Sequence, residues 1–228
     1  MDDYPDCLAV FPLPHVVLFP HVHMPLHVFE PRYRALLEGA AEDSGRFAMA
    51  VLKPGWEPQY NGCPPVHEWA CAGRIVDHVK LPDGCSDIIL KGERVVRIEE
   101  FVQEAPYRRA QVTALPEQAG FEHGEYTTER VAQMRTLLER ACPGAIDRLE
   151  SCLVQSPEDD GGLELMHTLA MNLPVDLERK LSWLTAGGTL ARWQAISSTL
   201  ERLAAAREQR GRVLRQYEDV RPDKPGRN

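Results

Sequence analysis

The spacing of apolar positions changes once along the chain, from strand-like to helix-like. From Leu8 to Phe29 no charged residue occurs, a run long enough to span a bilayer if it were helical. Pro12, Pro14, Pro20 and Pro25 each remove a backbone donor that lipid could not replace, so the run does not read as a membrane helix. It reads as short extended pieces, with proline at their ends and Val, Leu and Phe turned inward. Pro31 then suits a first helical turn, and Ala35, Leu36, Leu37 and Ala40 follow at helical spacing. A helix is predicted from Pro31 to about Asp43, with Gly45 after it, and a strand from Arg46 to Leu52.

Residues 53–69 are punctuated by Pro54, Gly55, Pro58, Asn61, Gly62, Pro64 and Pro65, with Trp56, Tyr60 and Trp69 among them. This predicts an aromatic-rich loop. Between Ala70 and Leu115 the pattern is β: Arg74 to Leu81, the turn Pro82-Asp83-Gly84, then Ile88 to Leu90, Val95 to Phe101 and Tyr107 to Leu115. Closely spaced strands with turn chemistry between them predict a small sheet curled into a barrel.

Beyond Gly120 the period becomes about 3.6. Val131, Met134, Leu137, Leu138 and Ala141 form one helical face, and Ile146, Leu149 and Leu153 a second. Leu163, Met166, Leu169, Ala170 and Leu173 mark a third helix, Leu177, Leu181 and Leu184 a fourth, and Leu190, Trp193, Ile196, Leu200 and Leu203 a last one. The ordered part is expected to end near Tyr217, because Arg221 to Asn228 is polar and carries Pro222, Pro225 and Gly226. The chain therefore divides into a β part at 1–118, a helical part at 119–217 and a flexible tail at 218–228, an α+β protein.

Composition narrows the function classes. With 228 residues, 43% of them hydrophobic, the chain can bury a real core, which excludes disordered and fibrous classes. The net charge is -8, and neither part is basic: 11 basic against 17 acidic residues in 1–118, and 15 against 17 in 119–228. Phosphate-tracking surfaces depend on clustered Lys and Arg, so nucleic-acid binding is disfavoured. Six cysteines are too sparse for a disulfide scaffold, and no secretory leader opens the sequence, which predicts a reduced, cytoplasmic setting.

One ordered stretch carries a family resemblance. It is Phe11-Pro12-Leu13-Pro14-His15-Val16-Val17-Leu18-Phe19-Pro20, then Met24-Pro25-Leu26-His27-Val28-Phe29-Glu30-Pro31-Arg32-Tyr33-Arg34. It resembles the opening of the Lon protease N-terminal domain family. The likeness continues at Ala72-Gly73-Arg74-Ile75, Leu81-Pro82-Asp83-Gly84 and Leu90-Lys91-Gly92-Glu93-Arg94-Val95-Val96-Arg97-Ile98, and more weakly in the helices, over roughly residues 8–208. The resemblance implies a PUA-like β pseudobarrel with one helix, followed by a C-terminal helical bundle. It also implies capture of unfolded or tagged polypeptides, a task that full-length Lon couples to an ATPase and a Ser-Lys protease. No G-x-x-x-x-G-K-[ST] phosphate loop occurs here, and the chain stops about where the ATPase would begin, so recognition is expected without catalysis or a nucleotide.

The remaining constellations compete with ordinary packing. His21, His23 and His27 share strand parity and with His15 imitate a metal site, but Pro25 is expected to break that strand. Cys63, His67 and Cys71, with Cys85 as a fourth candidate, are spaced more loosely than a zinc knuckle, and Cys71 reads as a small core residue. Ser86-Asp87 and Ser197-Ser198 lack a nucleophile-elbow context, and Glu99-Glu100 and Asp159-Asp160 read as solvated acids, so no catalytic residue and no metal or other cofactor is expected. Glu30, Arg32 and Arg34 read as fixing a strand-to-helix junction, with binding of an acidic partner group as the alternative. Trp56, Tyr60 and Trp69 are the expected peptide-contacting residues, with a nearby groove between barrel and bundle receiving extended apolar segments; the alternative is that Trp69 and Tyr60 cap one end of the barrel. The alternative to polypeptide recognition is an RNA-binding PUA-like module.

Overall fold

The computed structural model describes residues 4–60, 62–116, 128–150 and 163–220. Strands β1 (Cys7–Leu13), β3 (Arg46–Leu52), β4 (Val66–Lys80), β5 (Ser86–Gln103) and β6 (Arg108–Ala114) pair in a ring. β1 lies parallel to β3 in the register Ala9 to Phe47 and Phe11 to Met49, and the other contacts of the ring are antiparallel. β6 closes it by pairing with β1 on one side and β5 on the other. Register shifts in β4 and β5, as between Ala72 and Gly73 and between Ile98 and Glu100, supply the local bends that closure requires.

The ring has two apolar faces, and the alternation along each strand sorts residues between them. Leu8, Val10, Ala48, Ala50, Ala70, Ala72, Val96, Ala110 and Val112 fill one core. Alanine is frequent there because a ring of few strands leaves little room for larger side chains. Phe11, Phe47, Met49, Val51, Cys71 and Val95 face the other way, into a larger core that includes Tyr33, Leu36 and Leu37 of α1 (Pro31–Glu42) and reaches the helices that follow the ring. β3 is therefore buried on both sides, which is why Phe47 to Leu52 reads as an unbroken apolar run and not as an alternation.

β2 (His23–Val28) adds to the first half of β5 at the edge of the sheet. Pro25 lies inside this strand, opposite Ile89, and does not break it, contrary to the expectation from the sequence. An edge strand needs donors on one side only, so a missing N–H is tolerated. The apolar segment before β2 is pinned to β5: the His21 N–H donates to the Gly92 carbonyl at 2.8 Å and the Gly92 N–H to the Val22 carbonyl at 2.9 Å. A Cβ at position 92 would strike the Phe19 carbonyl, so only glycine admits this approach.

Two further boundaries differ from the sequence reading. β4 begins at Val66, which places Trp69 in a strand and not in the loop, and β5 is one continuous strand where two were expected. Both strands are long because each serves the ring with one half and a protruding hairpin with the other. The outer face of that hairpin exposes Val79, level with Asp87 and His27, and Phe29 just beyond β2, its ring stacked on His27 at 6.1 Å.

Helices α2 (Thr128–Ala141), α3 (Ala145–Glu150), α4 (Leu163–Asn172), α5 (Leu177–Leu184) and α6 (Thr189–Val220) follow. α2 and α6 run in parallel, with Arg130 over Trp193 near their starts and Arg140 donating to Glu208 at 2.9 Å farther along. α6 continues to Val220, past the expected end near Tyr217. The expected division at residue 118, Leu153, Asp159-Asp160 and the tail from Arg221 lie outside the described residues.

The helices are joined to the sheet by a buried polar cluster. The His23 Nδ1–H donates to Glu164 of α4 at 2.7 Å. His167, on the same helix, has no exposed surface and lies against the rings of Phe19 and His21, 5.9 and 5.7 Å away. Trp183, Leu184, Ile196 and Leu200 complete the core on the helical side.

Candidate functional site

The three expected contact residues separate into two places. The loop after β3 is closed at its base, where the Lys53 N–H donates to the Pro65 carbonyl at 2.9 Å, and a 3₁₀ turn at Glu57–Gln59 gives it internal structure. Trp56 and Tyr60 flank that turn and meet edge to face at 5.4 Å. Tyr60 is committed to the start of α1: its hydroxyl donates to Glu30 at 2.6 Å, which raises its pKa. Arg32 lies between the rings of Tyr33 and Tyr60, 4.6 and 4.8 Å from their centroids, and donates to Glu30 at 3.0 Å and to the Tyr60 carbonyl at 2.9 Å. Burial pushes the Tyr33 phenol up to about 12. Glu30 and Arg32 are thus used in fastening the loop to the strand-to-helix junction.

Trp69 stands elsewhere. It is half-buried and lines a groove of about 500 Å³ between the sheet and α5, together with Lys53, His67, Glu68, Glu178, Leu181, Ser182 and Thr185. Trp69 and Leu181 supply an apolar floor, and the rim is polar. The His67 Nε2 atom is buried and has no hydrogen-bond partner among the described residues, so one nitrogen beside this groove stays unpaired. Glu68 is held by Arg97 at 3.5 Å. The α5 wall is positioned by a cap, the Arg179 N–H donating to Asp176 at 2.7 Å. Ser182 and Thr185 turn their hydroxyls back to the carbonyls of Arg179 and Leu181 and leave the wall smooth.

The sequence predicts a groove between sheet and helices, near an aromatic loop that includes Trp69; the structure puts Trp69 in β4 and on the groove. Sequence reasoning missed Lys53, Glu68 and the α5 residues. Leu181 carried a signal, its place on the apolar stripe of α5, but that stripe alone does not say which part of the sheet it meets.

The metal candidates are not brought together. Cys71 is buried in the larger core, Cys63 is exposed, and His67 lines the groove. Cys85 lies opposite Leu81 at the far end of the hairpin, on the order of 30 Å along β4 from Cys71. His23 and His27 are occupied by Glu164 and Asp87, both at 2.7 Å. Among the described residues no group of three or more His, Cys, Asp or Glu side chains is arranged to hold a metal ion.

A family described as the ATP-dependent protease La (LON) substrate-binding domain matches residues 7–202. The chain belongs to that family. The Lon protease of Chloroherpeton thalassium is 29% identical over 86% of the chain, and Lon protease 2 of Myxococcus xanthus 26% over 88%. The chain spans about a quarter of the length of these relatives, 23% and 24% respectively. A Lon N-terminal domain protein from Xanthomonas campestris superposes with a TM-score of 0.56 at 21% identity, over 85% of this chain and 96% of that one. The N-terminal domain of Mycobacterium avium complex Lon protease gives 0.55 at 16%, over 87% and 98%. These likenesses give the Lon substrate-binding domain fold, a mixed sheet with helices. Among the described residues no helix is long and apolar enough to cross a membrane.

Proposed function

We propose that this Lon substrate-binding domain recognises unfolded or partner polypeptides without chemistry of its own, as an adaptor or holdase, and that the groove between β4 and α5 receives an extended apolar segment. The observation that carries this reading is the groove's lining: an indole and a leucine for side-chain burial, beside a buried imidazole nitrogen with no partner among the described residues, suited to a backbone amide or carbonyl. The rim carries Lys53 against Glu68 and Glu178, with Glu68 held by Arg97, and so offers no basic cluster for a phosphate backbone, which makes an extended peptide a better guest than RNA. The PUA-like pseudobarrel implied by the family resemblance agrees with the ring of strands.

Ser182 is exposed on the α5 wall, so Ser182→Trp fills the groove without disturbing the core. The variant is expected to bind a reduced, carboxymethylated model protein about tenfold more weakly, equivalent to about 1.4 kcal/mol, at an unchanged thermal midpoint. Fluorescence anisotropy reads the affinity. Equal affinity of the variant and the parent chain removes the groove from the proposal. Cleavage of the model protein by the purified chain, abolished by a point substitution, contradicts the non-catalytic part.

A further inference from the structure

A second groove, which none of the foregoing uses, runs between α2 and α6. Its volume is about 570 Å³. Ala132 and Thr136 of α2 and Ser197 and Ser198 of α6 line it, and these small side chains leave the space beside the helix contact unfilled along this face. Trp193 and Leu137 give it an apolar body.

Two polar atoms in this lining lack partners among the described residues, the Trp193 indole Nε1 and the Ser197 hydroxyl. Ser197 is only 5% exposed. Neighbouring hydroxyls are satisfied by their own helices: Thr136 donates to the Ala132 carbonyl at 2.9 Å and Thr199 to the Ala195 carbonyl at 3.0 Å. Ser197 makes no such bond among the described residues. Arg130 packs over the Trp193 ring, 5.6 Å from its centroid, and helps to hold the indole's plane. Two buried donors beside the groove are thus left unpaired, which an acceptor reaching in from an otherwise apolar guest would satisfy.

The charged residues among those lining the groove are Glu129 and Glu201, toward its two ends. From Glu129 to Leu137 the groove follows α2 for eight residues, roughly 12 Å of helix axis. A guest with basic residues about two turns apart, an apolar ridge between them and one side-chain carbonyl in the ridge would match length, charge and donors together.

We propose that the α2–α6 groove docks an amphipathic helix of a partner protein, with Lys or Arg flanking its apolar ridge, as the third member of the helix pair. This site is separate from the β4–α5 groove and does not depend on extended peptides binding there.

The test uses the full chain and two synthetic helices that share a Leu/Ala ridge with a central Asn. One carries Lys two turns apart at the flanks, and its twin carries Glu. The Lys-flanked helix is expected to bind saturably, and Thr136→Trp, an exposed groove-filling change, to weaken it about tenfold. The double charge reversal Glu129→Lys with Glu201→Lys, at exposed sites, should transfer preference to the Glu-flanked twin. Circular dichroism checks that both variants remain folded, and the Ser182→Trp chain should bind the Lys-flanked helix like the parent. No saturable binding, or binding indifferent to both groove variants, overturns the proposal. So does sedimentation of the chain alone as a dimer that Thr136→Trp dissolves, which would give the groove to a second copy.

Discussion

His167 is fully buried, and its surroundings constrain its chemistry. Burial, reinforced by the Arg192 guanidinium and by His21, holds its pKa well below the ordinary histidine value of 6.5, with the Pro20 carbonyl acting weakly in the opposite sense. The folded state keeps the ring neutral, whereas the unfolded chain takes up a proton near 6.5. Stability from this group is therefore fully present above that pH and is lost progressively as pH falls below it. Urea unfolding at a series of pH values between about 7.5 and 5 should show the midpoint falling toward acid, and falling less steeply in His167→Leu. Parallel profiles for the two chains would contradict this assignment. Nothing in the spacing of the sequence singles out His167, since it follows Met166 on an apolar helix and its burial against Phe19 and His21 is a long-range contact.

Among the elements, α5 is short and depends on its ends. Eight residues form too few internal hydrogen bonds to hold a helix in water, so its stability comes from the cap at Asp176 and from burying Leu181, Trp183 and Leu184. Asp176→Ala is expected to cost about 1 kcal/mol in urea denaturation. Because the same helix forms a wall of the β4–α5 groove, the variant should also bind the carboxymethylated model protein more weakly than its stability loss alone would cause. Retained affinity would separate the cap from the groove. Helix and strand positions are largely legible from periodicity: Arg46–Leu52 and Leu177–Leu184 coincide with their apolar patterns. Trp69 reads as a loop residue because proline and glycine crowd the positions before it, up to Pro64 and Pro65. The strand nevertheless starts at the next residue, Val66, because pairing with Leu52 of β3 begins there. The continuity of β5 through Lys91 to Arg94 is hidden for a similar reason, since these polar residues sit at a bulge opposite Ala72 and Gly73 and not at a turn, with Glu93 held by Arg46 and Arg74.

At the scale of the whole molecule, the larger core is shared. Phe11 and Met49 of the ring, Leu36 of α1, and Leu169, Trp183 and Ile196 of the later helices belong to one contiguous cluster. Removing the helices would expose a large apolar surface on the ring and leave His23 without Glu164, so the two parts should unfold together. Far-UV circular dichroism and tryptophan fluorescence, which reports on Trp69 in the sheet and on Trp183 and Trp193 in the helices, should give coincident urea transitions. Two separated transitions would mean that the ring and the helices are independent units.

The sequence by itself determined the class of the protein: the change of period near Gly120 and the exclusion of a membrane helix by four prolines act through local backbone preferences, which a linear pattern records, and the ordered motifs carry the resemblance to the Lon family. Only the tertiary structure decided which surfaces meet. It closed the strands into a ring, parted Trp69 from Trp56 and Tyr60, sent the aromatic loop to fasten α1, and left two grooves lined by residues far apart in the chain. Such pairings depend on how side chains of distant elements fill space against one another, and a one-dimensional pattern carries no record of that.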